Sequence, residues 1–188
     1  MTGFNTIINH KEKMMIHAAH RCGSGYVSQV PAKLDNWKNE QYYNITGLEI
    51  DFNEYSHVNI IRDPYQRWRS WFYDFHRFDE KDDIDKWNLS YTKSWLDEFR
   101  YRMHYDMHTC LQKITYEDVV CRTNAMYLHM EDLDIFLGID HRQRIIDDRV
   151  SYENIMTPKV IGCLQKNIPL TYTVDYTWIQ TLNFWQNT

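Results

Sequence analysis

Glycine and proline are scarce in this chain of 188 residues, at six and four. A low-complexity linker needs more of both, so nothing marks a domain boundary, and no segment repeats at the period of a solenoid or propeller. Residues 1–188 therefore read as one domain, with 43% hydrophobic and 15% aromatic residues to fill its core. Basic charge is also short. A formal net charge of -5 removes the broad basic face that a nucleic-acid polymer demands and leaves room for a local basic pocket. No window approaches the roughly 18 uninterrupted apolar residues of a membrane span, and the opening MTGFNTIINHKEKMM holds no apolar core of signal-peptide length. Both absences predict a soluble, cytoplasmic protein. Cys22, Cys110, Cys121 and Cys163 stand far apart with no CxxC pair, a pattern of free thiols rather than of a disulfide framework. His17, His20 and Cys22 have the residue types of a metal site, yet no second cluster completes a tetrahedral set, so no metal is expected.

What is present alternates between strand and helix. Met14 to His17 reads as a short buried strand, followed by AAHRCGSGY and a helix through Val27 and Val30 that Pro31 ends or bends. Residues 33–47 show no clear period. GLEIDF alternates around Leu48, Ile50 and Phe52, which predicts a second strand, and His57 to Ile61 a third. Asp63 is a good helix N-cap and Pro64 suits a first turn. Tyr65, Trp68, Trp71, Phe72 and Phe75 then recur at helical spacing to about Phe78, more simply as core than as a sugar-binding face. DEKDDID reads as a solvated loop, Tyr91 to Gln112 as a helix, and Ala125 to Met130 as a strand that Glu131-Asp132 would close as a cap on the FLGI turn. This alternation predicts an α/β fold with a central, mostly parallel sheet flanked by helices in three layers. Ligands of such folds sit at the carboxyl ends of the strands.

Two loops would open on that edge. Arg21-Cys22-Gly23-Ser24-Gly25 follows the first strand, where glycines let backbone N–H groups approach an anion, Ser24 offers a hydroxyl and Arg21 a fixed charge. The pattern GxxxxGK[ST] is absent, which disfavours an ordinary ATPase or GTPase. The second loop is RDPYQRWRS, with Arg62 at a strand end and Ser70 two turns into the next helix. Arg67 and Arg69 lie between them and either reach the same anion or are solvated.

This pair of motifs resembles the sulfotransferases that use 3′-phosphoadenosine 5′-phosphosulfate (PAPS), in style the carbohydrate sulfotransferases, including the uronyl 2-O-sulfotransferases. HRCGSGY looks like a variant of their phosphosulfate loop, and Arg62 with Ser70 matches their 3′-phosphate motif. GLEIDF, MEDLDIFLGI, DMHTCLQ and LTYTVDYTWIQTLNF are similar to further segments of the family, from about Met14 onward. The resemblance implies a P-loop-like fold and transfer of a sulfuryl group from PAPS to the hydroxyl of a carbohydrate or other small acceptor, without a metal. It implies that Arg21, Cys22, Gly23, Ser24, Gly25 and Tyr26 hold the phosphosulfate, through Ser24 and the N–H groups of Gly23, Gly25 and Tyr26, and that Arg62 and Ser70 hold the 3′-phosphate. Arg21 would stabilise the leaving oxygen. For the general base, Glu49 on the GLEIDF strand is the first candidate, over Asp51, with His20 and His108 as rivals.

Three features depart from the family. Gly25 stands where a Ser or Thr is usual, Arg21 where Lys is common, and GLEIDF lacks the histidine base of the relatives acting on uronic acids. Two alternatives therefore stand beside the enzyme: a PAPS-binding protein without turnover, and an atypical small-molecule kinase.

Overall fold

The computed structural model describes residues 4–41, 51–78, 111–113, 115–116, 125–140, 158, 162, 165–166 and 172–186. Five strands form one mixed sheet in the order β3-β1-β2-β4-β5. They are β1 (Phe4–Asn9), β2 (Met14–Ala19), β3 (Lys38–Gln41), β4 (Ser56–Ile61) and β5 (Met126–His129). Pairs β2–β4 and β4–β5 are parallel, whereas β1 runs antiparallel to both β2 and β3. The expected mostly parallel sheet is thus a parallel half joined to an antiparallel half. Two strands account for the difference. β1 forms a hairpin with β2, its turn held by the Asn9 side chain, which accepts from the N–H groups of Lys11 and Glu12. β3 is polar and adds at the outer edge of β1, within the stretch that shows no sequence period.

The GLEIDF expectation fails at its end. Phe52–Glu54 is a 3-10 turn, with Asp51 accepting from the Asn53 N–H at 2.9 Å; the asparagine and its neighbours favour a turn over a strand. Leu48 and Ile50 lie outside the described residues, as do the DEKDDID loop and Tyr91 to Cys110. Leu111 is not helical and residues 112, 113, 115 and 116 are. Gln112 therefore starts a helical turn instead of ending a long helix.

Four helices carry names here: α1 (Ser24–Val27), α2 (Pro64–Phe78), α3 (Leu133–Leu137) and α4 (Tyr172–Ile179). α1 is a single turn, and Val30–Ala32, with Pro31 inside it, continues as a 3-10 turn. α2 starts as expected: Asp63 accepts from the Gln66 N–H at 2.8 Å and Pro64 opens the helix. Trp68 and Trp71 are buried.

The sheet is covered on both faces. On one, Ile7, Ile16, Ala18, Val58, Ile60 and Leu128 pack with Val27, Val30 and Leu133. On the other, Ala19, Ile61 and Tyr127 pack with Tyr116, Trp178 and Ile179. Across that second face runs a row of residues paired in register, Thr6, His17, Asn59 and Tyr127. His17 Nδ1 lies 2.9 Å from Thr6 Oγ1, and its Nε2 lies 2.9 Å from Nδ1 of His57. Burial, then the neighbouring His57, push the His17 pKa down from 6.5 to about 3.

The sign of the effect on stability follows. An unfolded chain protonates His17 below about pH 6.5, and the folded chain does so only near pH 3. Its contribution is complete above about pH 6.5 and falls as pH drops toward 3, by at most about 1.4 kcal/mol per unit. Urea unfolding at pH 7, 5.5 and 4.5 should show His17→Gln with a shallower acid loss than wild type, by about one proton. Equal slopes would contradict the buried neutral imidazole.

Candidate functional site

The parallel ladder between β2 and β4 reaches Ala18 and Ile60. Where the next rung would fall, the Tyr116 hydroxyl accepts from the Ala19 N–H at 2.7 Å and donates to the Ile60 carbonyl at 2.6 Å. The strand ends are therefore joined through a side chain. Tyr116 is fully buried, and burial raises its pKa, so it stays a phenol with a proton to donate.

Past Ala19 the chain turns sharply. The Cys22 N–H donates to the Ala19 carbonyl at 2.9 Å, and both Arg21 and Gly23 adopt left-handed backbone conformations, φ 67° and 83°. A left-handed arginine costs about 1–2 kcal/mol and needs surrounding structure to hold it. That structure comes from the second loop. Arg62 Nη1 donates to the Arg21 carbonyl at 3.0 Å, and Arg67 Nε to the His20 carbonyl at 3.0 Å.

Gln112 fastens the same two loops from the other side. Its Oε1 accepts from the Arg62 N–H at 3.0 Å and from the Cys22 thiol at 3.1 Å, and its Nε2 donates to the Arg62 carbonyl at 2.8 Å. Asp175, buried on α4, accepts from the N–H groups of Gln112 and Lys113 at 2.9 and 3.1 Å. Burial raises its pKa, while those two bonds and the nearby Arg67 pull it back. Arg67 is 1% exposed. Isolating its charge would cost several kcal/mol, so the proximity of Asp175 and the His20 carbonyl are needed to keep it inside.

The structure brings His20, Arg21, Gly23, Ser24, Gly25 and Arg62 to one edge, the carboxyl ends of adjacent parallel strands. Ser70 is buried on α2, three residues beyond Arg67 and so on the same face of that helix. Among the described residues the N–H groups of Gly23, Ser24 and Gly25 carry no hydrogen bond. Two expected contacts are corrected. Cys22 is buried with its N–H on Ala19 and its thiol on Gln112, and burial raises the thiol pKa to about 11. Neither group is available to a ligand. The Tyr26 N–H donates to the Gly23 carbonyl, and its hydroxyl donates to buried Asp134 on α3.

Asp51 leaves the list of candidate bases as well. It precedes β4, whose six residues span about 20 Å and put it at the opposite end of the strand from Arg62. Glu49 and His108 lie outside the described residues, as do Cys110, Cys121 and Cys163. His17, His20 and Cys22 do not converge, and no group of three or more His, Cys, Asp or Glu side chains gathers among the described residues. Glu131 and Asp132 make a 3-10 turn before α3 without a side-chain cap bond.

Sequence reasoning missed Gln112, Tyr116 and Asp175, and left Arg67 open between a ligand contact and a solvated surface. An arginine one turn into a helix whose neighbours Trp68 and Trp71 are apolar carried the one available hint, because that face turns inward. Gln112, Tyr116 and Asp175 sit far from the motifs in sequence and have no signature of their own.

The fold and this edge define an α/β protein with a mixed sheet and two arginine-bearing loops that meet at the carboxyl ends of adjacent parallel strands. No protein-family model matches the chain, and neither a curated protein nor a solved structure matches it. Among the described residues, no helix is long and apolar enough to cross a membrane.

Gly23 gives this geometry a direct test. A Cβ there would lie 3.0 Å from Met130 Cγ, on a backbone that L side chains rarely adopt. Gly23→Ala should lower stability by about 1–2 kcal/mol in urea unfolding, and Met130→Ala in the same chain should return only the share due to the clash. A neutral Gly23→Ala would contradict the left-handed turn.

Proposed function

We propose that the chain is a PAPS-dependent sulfotransferase with a P-loop-like core, acting on a hydroxyl of a carbohydrate or glycoconjugate. The observation that carries the reading is the bond from Arg62 Nη1 to the Arg21 carbonyl, because it joins the two anion motifs at one strand edge. A nucleotide with phosphate at both its 3′ and 5′ sides needs two such motifs within reach of each other.

The chemistry of the residues in the two loops supports that ligand. The N–H groups of Gly23, Ser24 and Gly25, with the Ser24 hydroxyl, would hold the 5′-phosphosulfate, and Arg62 and Ser70 the 3′-phosphate. Cys22 and Tyr26 contribute to the loop's shape instead. PAPS supplies an activated sulfuryl group; the chain's part is to orient it and to place positive charge where the leaving oxygen gains negative charge. Arg21 fills that role as a planar, permanently charged donor. His20, in the same loop, is the candidate for the base that takes the acceptor proton, and His108 is its rival. Gly25 has no side chain to replace the usual hydroxyl, so its N–H is what it offers.

Calorimetric titration without metal tests the reading. PAP, the desulfated nucleotide, should bind at least tenfold tighter than 5′-AMP or ADP. A charge-assisted bond contributes about 1.5–3 kcal/mol, so Arg62→Ala should weaken PAP roughly ten- to more than a hundredfold. Arg21→Ala should lower turnover more than affinity. Equal binding of the three nucleotides would refute the 3′-phosphate site, an ADP preference that needs magnesium would favour the kinase, and PAP binding without transfer to any acceptor would favour the inactive binder.

A further inference from the structure

We propose that Gln112 is the positioning residue of the nucleotide site: its side-chain amide sets the backbone of Arg62, and through it the guanidinium that reads the 3′-phosphate. The assignment rests on the sulfotransferase reading.

Two bonds to one residue are the core of the argument. Gln112 Oε1 takes the Arg62 N–H and Gln112 Nε2 gives to the Arg62 carbonyl, at 3.0 and 2.8 Å. That is how a neighbouring strand would grip a residue, and it is applied at the position where β4 has ended and α2 has not begun. A backbone rotation at Arg62 is amplified along its long side chain, so fixing the peptide on both sides narrows where the guanidinium can be. The third bond, from the Cys22 thiol to the same Oε1, ties the first loop to the same amide. Gln112 is itself held, fully buried, by its N–H on Asp175.

Only an amide satisfies this arrangement. A glutamate would bring a second acceptor against the Arg62 carbonyl, and an apolar side chain would leave the half-buried Arg62 N–H and carbonyl without these partners. A residue that merely supports the fold would, when replaced, weaken every nucleotide alike. A positioning residue should weaken PAP selectively.

The test is calorimetry with PAP and 5′-AMP on wild type, Gln112→Met and Gln112→Glu, with circular dichroism to establish that each is folded. Either folded variant should lose about tenfold in PAP affinity, with 5′-AMP changed by less than about twofold. A wild-type preference for PAP that survives the substitutions, or a parallel loss for both nucleotides, overturns the assignment while leaving the sulfotransferase reading standing. No preference in wild type overturns both. Amide exchange in the unsubstituted protein gives a reading that needs no variant to fold: the Arg62 N–H should exchange at least about fivefold more slowly with PAP bound, since binding to its side chain stabilises the closed clasp. Exchange unchanged by bound PAP would overturn the assignment.

Discussion

Two parallel strands can admit a ligand between their carboxyl ends only if they stop bonding to each other there, and the backbone groups left behind must find other partners. In this chain one helical segment supplies them. Tyr116 joins the Ala19 N–H to the Ile60 carbonyl, and Gln112, one turn earlier, takes both backbone groups of Arg62. Leaving a buried backbone group unpaired costs about 1–3 kcal/mol, so the two at Ala19 and Ile60 alone would weigh on a protein whose total stability is about 5–15 kcal/mol, and the half-buried pair on Arg62 adds to them. The two strands can part beyond Ala18 and Ile60 because Gln112 and Tyr116 take up the backbone groups left there. The same segment is anchored by Asp175, which links the C-terminal helix α4 to the strand edge.

Charge is organised around that edge. Arg62 and Arg67 hold the carbonyls of Arg21 and His20 in the loop after β2, so two guanidinium groups meet at one short turn that itself contains Arg21. Buried Asp175 offsets Arg67 from behind. The backbone of the loop is bent through two left-handed residues, a conformation that arginine resists and that the contacts from Arg62 and Arg67 help maintain. Strain of this kind gathers where a loop has to present its N–H groups to a ligand. On the sheet beneath, polarity is handled differently: His17 stays neutral between Thr6 and His57.

Much of this is legible in the sequence. Asp63 and Pro64 marked the start of α2, the apolar runs at Met14 and His57 marked β2 and β4, and the order of the two loops implied a shared edge. β1 was missed because only Ile7 and Ile8 form its apolar centre, although Asn9 and the polar HKEK between two apolar runs are a hairpin signal. β3 was invisible because Lys38–Gln41 is polar and its place is set by pairing with β1. GLEIDF misled at its end because alternation ignores a turn-forming Asp51 and Asn53. At the site, sequence identified the residues of the two loops but not what their N–H groups and side chains were already bonded to. Cys22 and Tyr26 fall out as ligand contacts for that reason, and Gln112, Tyr116 and Asp175 enter from segments whose contacts only the folded chain determines.

A crystal structure with PAP bound tests the central claim most directly. The account predicts the 3′-phosphate within hydrogen-bond distance of the Arg62 guanidinium and the Ser70 hydroxyl, and the 5′-phosphate on the N–H groups of Gly23, Ser24 and Gly25, with the Gln112 clasp intact. A nucleotide seated anywhere else, or contacting only one of the two loops, would contradict the view that they form a single site.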